Sequence, residues 1–158
     1  MNVRRVLFVC LGNICRSSLV EAVARKRLAE AGLDVAVASC GTGGWHAGEG
    51  ADPRMIAAAR AAGHDLSLHC ARQLRGHDFT DYDLLLAMDR DNLRELRKLA
   101  ATPGQVEQTA LFLEWTGTAP PVEFPDPWHG DTAGFAAAVK LAERGVAGLV
   151  ERLRDAGC

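Results

Sequence analysis

The chain has 158 residues, 48% hydrophobic and 24% charged, which suits one globular domain with a full core. Eighteen basic against twenty acidic residues leave a net charge of −2, so there is no basic footprint for nucleic acid. No apolar run approaches a membrane span. The run after the basic start Met1-Asn2-Val3-Arg4-Arg5 is too short for a signal peptide, so a cytoplasmic protein is expected.

Arg5-Val6-Leu7-Phe8-Val9 is apolar and β-branched and predicts a buried strand. Cys10-Leu11-Gly12-Asn13-Ile14-Cys15-Arg16-Ser17 follows, a cysteine, five residues and an arginine. Beyond it, Val20, Val23, Ala24, Leu28 and Ala31 keep helical spacing and predict a helix over 17–31. The loop therefore sits at a helix N-terminus, where unpaired N–H groups and the helix dipole favour an anion.

A thiol pKa of about 8.5 can fall to roughly 3.5–7.5 beside a cation or at a helix N-terminus, and Cys10 is expected to feel both influences. Gly12 lets the backbone bend, and Asn13 tolerates left-handed dihedrals and can bond the loop to itself. Arg16 offers a planar fork for two phosphoryl oxygens. Ser17 or Ser18 can cap the helix, and Ser18 with Glu21 has capping-box spacing. A serine hydroxyl here can also donate to Cys10. Read without context, a cysteine ending a strand is usually a small buried hydrophobe.

Further elements follow in order. Residues 35–39 predict a second strand, and the Gly-rich 40–52 a functional loop. Pro53 opens an Ala-rich helix over 53–62 that Gly63 ends. Residues 84–88 predict a third, buried strand, 91–99 a helix behind an acidic cap, and 106–111 a short fourth strand. A Pro-rich loop, 119–130, carries Asp126. Thr132 starts a last helix whose stripe includes Phe135, Val139, Ala142, Val146, Leu149 and Leu153. The alternation implies a single α/β domain over 1–158. It has a four-stranded parallel sheet, helices on both faces and a ligand site beyond the strand ends.

The loop closely resembles the signature of the low-molecular-weight protein-tyrosine-phosphatase family: an apolar strand, Cys-x-Gly-Asn-x-Cys-Arg-Ser and a helix. The similarity continues through Ser39 and Gly41-Thr42, Trp45, Ala51-Asp52-Pro53-Arg54 and His69-Cys70-Ala71-Arg72-Gln73. It extends to Asp78-Phe79, Met88-Asp89 and Asp126-Pro127-Trp128-His129-Gly130. The resemblance implies that Cys10 is a nucleophile forming a cysteinyl-phosphate. Arg16 is then the clamp on the phosphoryl oxygens, and Asp126 the acid that protonates the leaving phenolate and later activates water. It implies phosphate binding by the loop of Leu11, Gly12, Asn13, Ile14, Cys15 and Ser17, supported by Ser39, His69 and Asp89, with Trp45 and Trp128 as walls of the mouth. The implied partners are a tyrosine-phosphorylated protein and phosphate or other oxyanions, with no cofactor or metal.

Without the resemblance, Asp126 is a turn residue before Pro127, the two tryptophans are partly packed loop residues, and His69 is structural. Ser18 stands where the family usually has proline, and either residue suits a first helical turn. Trp128 and His129 replace tyrosines common among relatives, which removes regulation by phosphorylation there. Ile14 stands where phosphoarginine phosphatases of this fold carry threonine, and it favours an aryl substrate.

Five cysteines, Cys10, Cys15, Cys40, Cys70 and Cys158, form an odd set that argues against a secreted disulfide scaffold. Cys10 and Cys15 are expected to share the loop, where a reversible disulfide would shield Cys10 from over-oxidation. Cys15 as a mere packing residue is the competing reading. Cys40 and Cys70 read as small packing residues, and no Cys-x2-Cys or His-x3-His spacing supports zinc. Two other functions are weaker. A thiol-coupled arsenate reductase would need a relay cysteine pair, which 82–89 lacks. A phosphoprotein-binding module would be expected to lack the nucleophile, arginine or acid. Oligomeric state is left open, with a monomer favoured.

Overall fold

The computed structural model describes residues 2–156; the Cys158 reading lies outside them. Four strands, β1 (Arg5–Cys10), β2 (Ala36–Gly41), β3 (Leu84–Ala87) and β4 (Thr109–Leu111), form one parallel sheet in the order β2-β1-β3-β4. The helices are α1 (Arg16–Glu30), α2 (Pro53–Ala61), α3 (Asp78–Asp81), α4 (Arg90–Lys98), α5 (Pro103–Glu107), α6 (Phe112–Trp115) and α7 (Thr132–Asp155).

The two-residue period of the strands sorts side chains to two faces. Val6, Phe8, Leu84 and Leu86 meet Leu19, Val20 and Val23 of α1, Met55 of α2, Phe112 of α6 and Phe135 of α7. Leu7, Val9, Leu85 and Ala87 face the other way, onto Phe79 of α3 and Leu96 of α4. Burial on both faces explains the near-continuous apolar run of β1. Phe8 packs edge-on against Phe112 with ring centroids 5.6 Å apart. Truncation of such a fully buried ring costs about 3–5 kcal/mol. Gly145 gives α7 its close approach to α6, since a Cβ there would lie 2.6 Å from the Phe112 ring.

Short polar caps start the helices that frame the cleft. Asp52 accepts from the Arg54 N–H ahead of α2, Asp89 from the Asn92 N–H ahead of α4, and Asp131 from the Gly134 N–H ahead of α7. The chain leaves β1 toward β2 on one side, and later elements add β3 and β4 on the other. The carboxyl end of β1 is therefore the switch point of the sheet.

Several sequence-based boundaries move. The fourth strand begins at Thr109, not 106, because Thr102 accepts from the Gln105 N–H and Pro103 opens α5 at its first position. The short helices α3 and α6 were not anticipated. Cys40 and Gly41 belong to β2 rather than to the following loop.

Candidate active site

Cys10 ends β1, Arg16 begins α1, and residues 11–15 cross between them. The loop turns at Asn13, whose φ of 61° is left-handed. Its buried side chain ties three segments together. Nδ2 donates to Ser17 Oγ and to Ser39 Oγ, each at 2.9 Å, and Oδ1 accepts from the Arg72 N–H at 3.0 Å.

The loop carbonyls are held from outside. Cys10 O accepts from Thr42 N–H at 2.8 Å, Leu11 O from Gly43 N–H at 3.0 Å, and Ile14 O from Asp52 N–H at 2.8 Å. His69 Nε2 reaches Asn13 O at 2.6 Å, which requires a protonated Nε2. Gly41 permits the close approach of the loop backbone at Leu11, since a Cβ there would lie 2.6 Å from Leu11 O. The N–H groups of Leu11, Gly12, Ile14, Cys15, Arg16 and Ser17 meet no acceptor among the described residues. A ring of unpaired N–H groups is thus left by committing the opposite ends of the peptides outward.

The Cys10 sulfur is buried. It accepts from the Asn13 N–H at 3.2 Å and lies 2.9 Å from Ser17 Oγ. Ser17 Oγ accepts from Asn13 Nδ2 and lies 3.4 Å from Cys40 O, so its one hydrogen is shared between that carbonyl and the sulfur. Arg16 is only 4% exposed, and its Nη1 donates to Asp89 Oδ2 at 2.7 Å and to Phe124 O at 3.0 Å. Burial works against the guanidinium charge, but Cys10 and the carboxylates of Asp89 and Asp126 outweigh it and raise the Arg16 pKa. Asp126, half-exposed, accepts from the Trp128 N–H at 3.0 Å through Oδ1, while Oδ2 lies 3.8 Å from Arg16 Nη2. Asp126 is thus a turn residue whose second oxygen faces Arg16.

A cleft of about 300 Å³ opens above the loop and is lined by residues 10–16 with Trp45, His46, Asp126, Trp128 and His129. Trp45 is 72% exposed and lies across Gly43. Ser39, His69 and Asp89 do not line the cleft; they hold the loop and Arg16 from behind, Ser39 donating onward to Glu21 Oε1 at 2.5 Å. Cys15 is buried, and its thiol is pushed up to about 12 by burial, then by the charges of Asp52, Cys10 and Asp126.

Two sequence expectations are corrected. Neither serine caps α1: Cys15 is the cap residue with no side-chain bond, Ser17 serves Cys10, and Ser18 Oγ donates back to Cys15 O. Glu21 turns to Ser39 and Arg25 instead of closing a capping box. A capping side chain would consume N–H groups that this loop keeps open. Cys70 is exposed rather than packed.

Sequence reasoning missed His46 and gave Arg54 no role. His46 lies over Gly12, where a Cβ would come 3.1 Å from its ring, and its Nδ1 is 3.1 Å from Glu49 Oε2. Nothing in the local pattern marked it beyond its place after Trp45 in a Gly-rich loop. Among the described residues His77, Asp78 and Asp81 alone cluster as possible metal ligands. None of them lines the cleft, and Asp78 already takes both guanidinium nitrogens of Arg72.

A thiol at a strand end, under a ring of free N–H groups and beside a buried arginine, thus lies at the switch point of a doubly wound sheet. Residues 5–157 match the family model described as low molecular weight phosphotyrosine protein phosphatase. The chain is 41% identical over 155 residues to the low molecular weight protein-tyrosine-phosphatase of Streptomyces coelicolor, covering 96% of this chain and 94% of the relative. Its fold superposes on the protein tyrosine phosphatase of Entamoeba histolytica, a structure holding Hepes in its active site. The TM-score there is 0.91 at 30% identity, over 98% of this chain and 99% of the other. Wzb of Vibrio vulnificus, solved with benzylphosphonate, superposes with a TM-score of 0.84 at 29% identity, over 96% and 99%. The chain belongs to the low-molecular-weight protein-tyrosine-phosphatases and is a hydrolase of that family.

Proposed function

We propose that the enzyme hydrolyses phosphotyrosine in proteins, and small aryl phosphates, by two displacements at phosphorus through a cysteinyl-phosphate on Cys10. The observation that carries this reading is the Cys10 sulfur, held by Asn13 N–H and Ser17 Oγ at the base of the N–H ring.

In the first step the Cys10 thiolate attacks phosphorus and the bond to the aryl oxygen breaks. Protonated Asp126 gives its proton to the departing phenolate. In the second step water attacks phosphorus and the P–S bond breaks. Asp126, now a carboxylate, takes the proton from that water, and the thiolate is restored. The free N–H groups of Leu11, Gly12, Ile14, Cys15, Arg16 and Ser17, with the Arg16 guanidinium, hold the phosphoryl oxygens throughout. Because Nη1 of Arg16 is committed to Asp89 and Phe124, Nε and Nη2 form the fork left for substrate. Such preorganised donors need no rearrangement as charge moves in the transition state.

Ile14, Trp45 and Trp128 supply flat apolar walls that suit an aryl ring. The benzylphosphonate held by the Vibrio protein supports the same substrate class here. Among the described residues no helix is long and apolar enough to cross a membrane, and a cytoplasmic site of action is part of this reading. A redox response through Cys10 and Cys15 belongs to it as well.

The test is hydrolysis of para-nitrophenyl phosphate in excess chelator by the wild type and by Cys10→Ser. Turnover by the wild type alone supports the cysteine mechanism. Retained turnover in the variant removes Cys10 from the nucleophile's role.

A further inference from the structure

We propose that Arg54 is a positioning residue for the acid of the reaction, holding the Asp126 loop in its working place from helix α2. The inference rests on the reading of Asp126 as general acid.

The segment 125–130 has little of its own to fix it. Its internal hydrogen bonds are Trp128 N–H to Asp126 Oδ1 and Gly130 N–H to Pro127 O. Among the described residues one hydrogen bond ties it to another element: Arg54 Nη1 donates to Trp128 O at 3.0 Å. The same guanidinium lies 5.2 Å from the centre of the Trp128 ring and 4.7 Å from that of Phe135 at the start of α7. Arg54 therefore grips Trp128 at its carbonyl and its face, while the Trp128 N–H grips Asp126.

The other side of the guanidinium is fixed by Asp52, the cap of α2, which is itself bonded to the loop after β1. Arg54 Nε and Nη2 donate to Asp52 Oδ1 and Oδ2 at 3.1 and 2.8 Å, a two-point fork. Asp52 is buried, and its own N–H donates to Ile14 O. A continuous path thus runs from Ile14 through Asp52, Arg54 and Trp128 to the Asp126 carboxylate. It fixes the acid in the same frame as the loop that holds the phosphoryl group. Three directed N–H donors in one plane are needed, which a lysine cannot supply.

A displacement of about 1 Å in a reacting group can cost on the order of 10²-fold. The readout must separate loss of the acid from general damage. Expulsion of phenolate needs a proton far more than expulsion of para-nitrophenolate does. We therefore compare kcat/KM for phenyl phosphate with kcat/KM for para-nitrophenyl phosphate in the wild type, Arg54→Met, Asp126→Asn and the double variant. Methionine keeps an apolar stem over Phe135 and removes the fork. Inhibition by inorganic phosphate reports whether the Cys10–Arg16 loop is intact.

The expected result for Arg54→Met is a selective loss on phenyl phosphate of roughly ten- to a hundredfold. The phosphate inhibition constant stays near the wild-type value, and the double variant is no worse than Asp126→Asn. Equal losses on both esters, or a double variant whose losses multiply, would overturn the proposal while leaving the acid assignment standing. If Asp126→Asn itself shows no leaving-group bias, the acid assignment fails and the Arg54 proposal falls with it. Should Arg54→Met fail to fold, Arg54→Gln carries the same comparison.

Discussion

Replacing Asn13 by alanine removes the residue on which most of the loop converges. Two hydrogen bonds donated by Nδ2, to Ser17 and Ser39, and one accepted by Oδ1, from Arg72, are lost in a buried setting. At about 1 kcal/mol net for each bond, plus about 1–2 kcal/mol for alanine held at left-handed φ, the loss is about 4–5 kcal/mol. For a domain of this size each kcal/mol moves the melting temperature by about 2–4 °C, so Asn13→Ala should melt roughly 10–15 °C lower. Asn13→Gly keeps the backbone freedom and should recover about 1 kcal/mol of that loss. Differential scanning calorimetry of the three proteins, with turnover of para-nitrophenyl phosphate alongside, measures both consequences. Turnover should fall in both variants because Ser17 loses the donor that orients it toward Cys10. A melting temperature for Asn13→Ala within about 2 °C of the wild type would refute the assignment of Asn13 as the hub.

Other outcomes follow from single contacts. Gly43→Ala would put a Cβ 1.8 Å from the Trp45 ring and displace the indole. KM for aryl phosphates should rise several-fold with kcat largely kept, and an unchanged KM would remove Trp45 from the substrate wall. Peroxide should oxidise Cys10 to the sulfenic acid, which the Cys15 thiol then converts to a disulfide with loss of water. Peptide mapping that finds only Cys10 sulfonic acid would reject this protection. Burial raises the Asp78 pKa, but the Arg72 fork and the Arg75 N–H outweigh it and hold the carboxyl below its ordinary value. Its stabilising contribution is therefore complete above the unfolded value of about 3.9 and is lost as pH falls through the lower folded value. Denaturation below pH about 4 should be less pH-dependent in Asp78→Asn, and identical slopes would contradict the pairing.

The strands and the loop were legible because their signals are local. The apolar run before Cys10, the Gly12-Asn13 bend and the following helical period each act within a few residues. The parallel sheet followed from alternation of strand and helix. Val106, expected to open the fourth strand, instead belongs to α5, which Thr102 caps and Pro103 opens. The capping box looked right by spacing, yet Glu21 is drawn away by Ser39, a partner that only folding brings near. Arg54 and His46 were not assigned roles for the same reason. Their chemistry depends on Trp128 and Gly12, which lie far along the chain. The roles of Cys10, Arg16 and Asp126 came from the resemblance, and their proximity came from the fold.

The proposed reaction turns on a phosphoryl group carried on sulfur. Rapid acid quench of the enzyme during turnover of para-nitrophenyl phosphate, followed by peptide mass spectrometry under acid conditions, measures it directly. One phosphoryl group is expected on the peptide containing Cys10, and neither adduct nor turnover in Cys10→Ser. Steady turnover with the peptide unmodified, or an adduct on another residue, would contradict it.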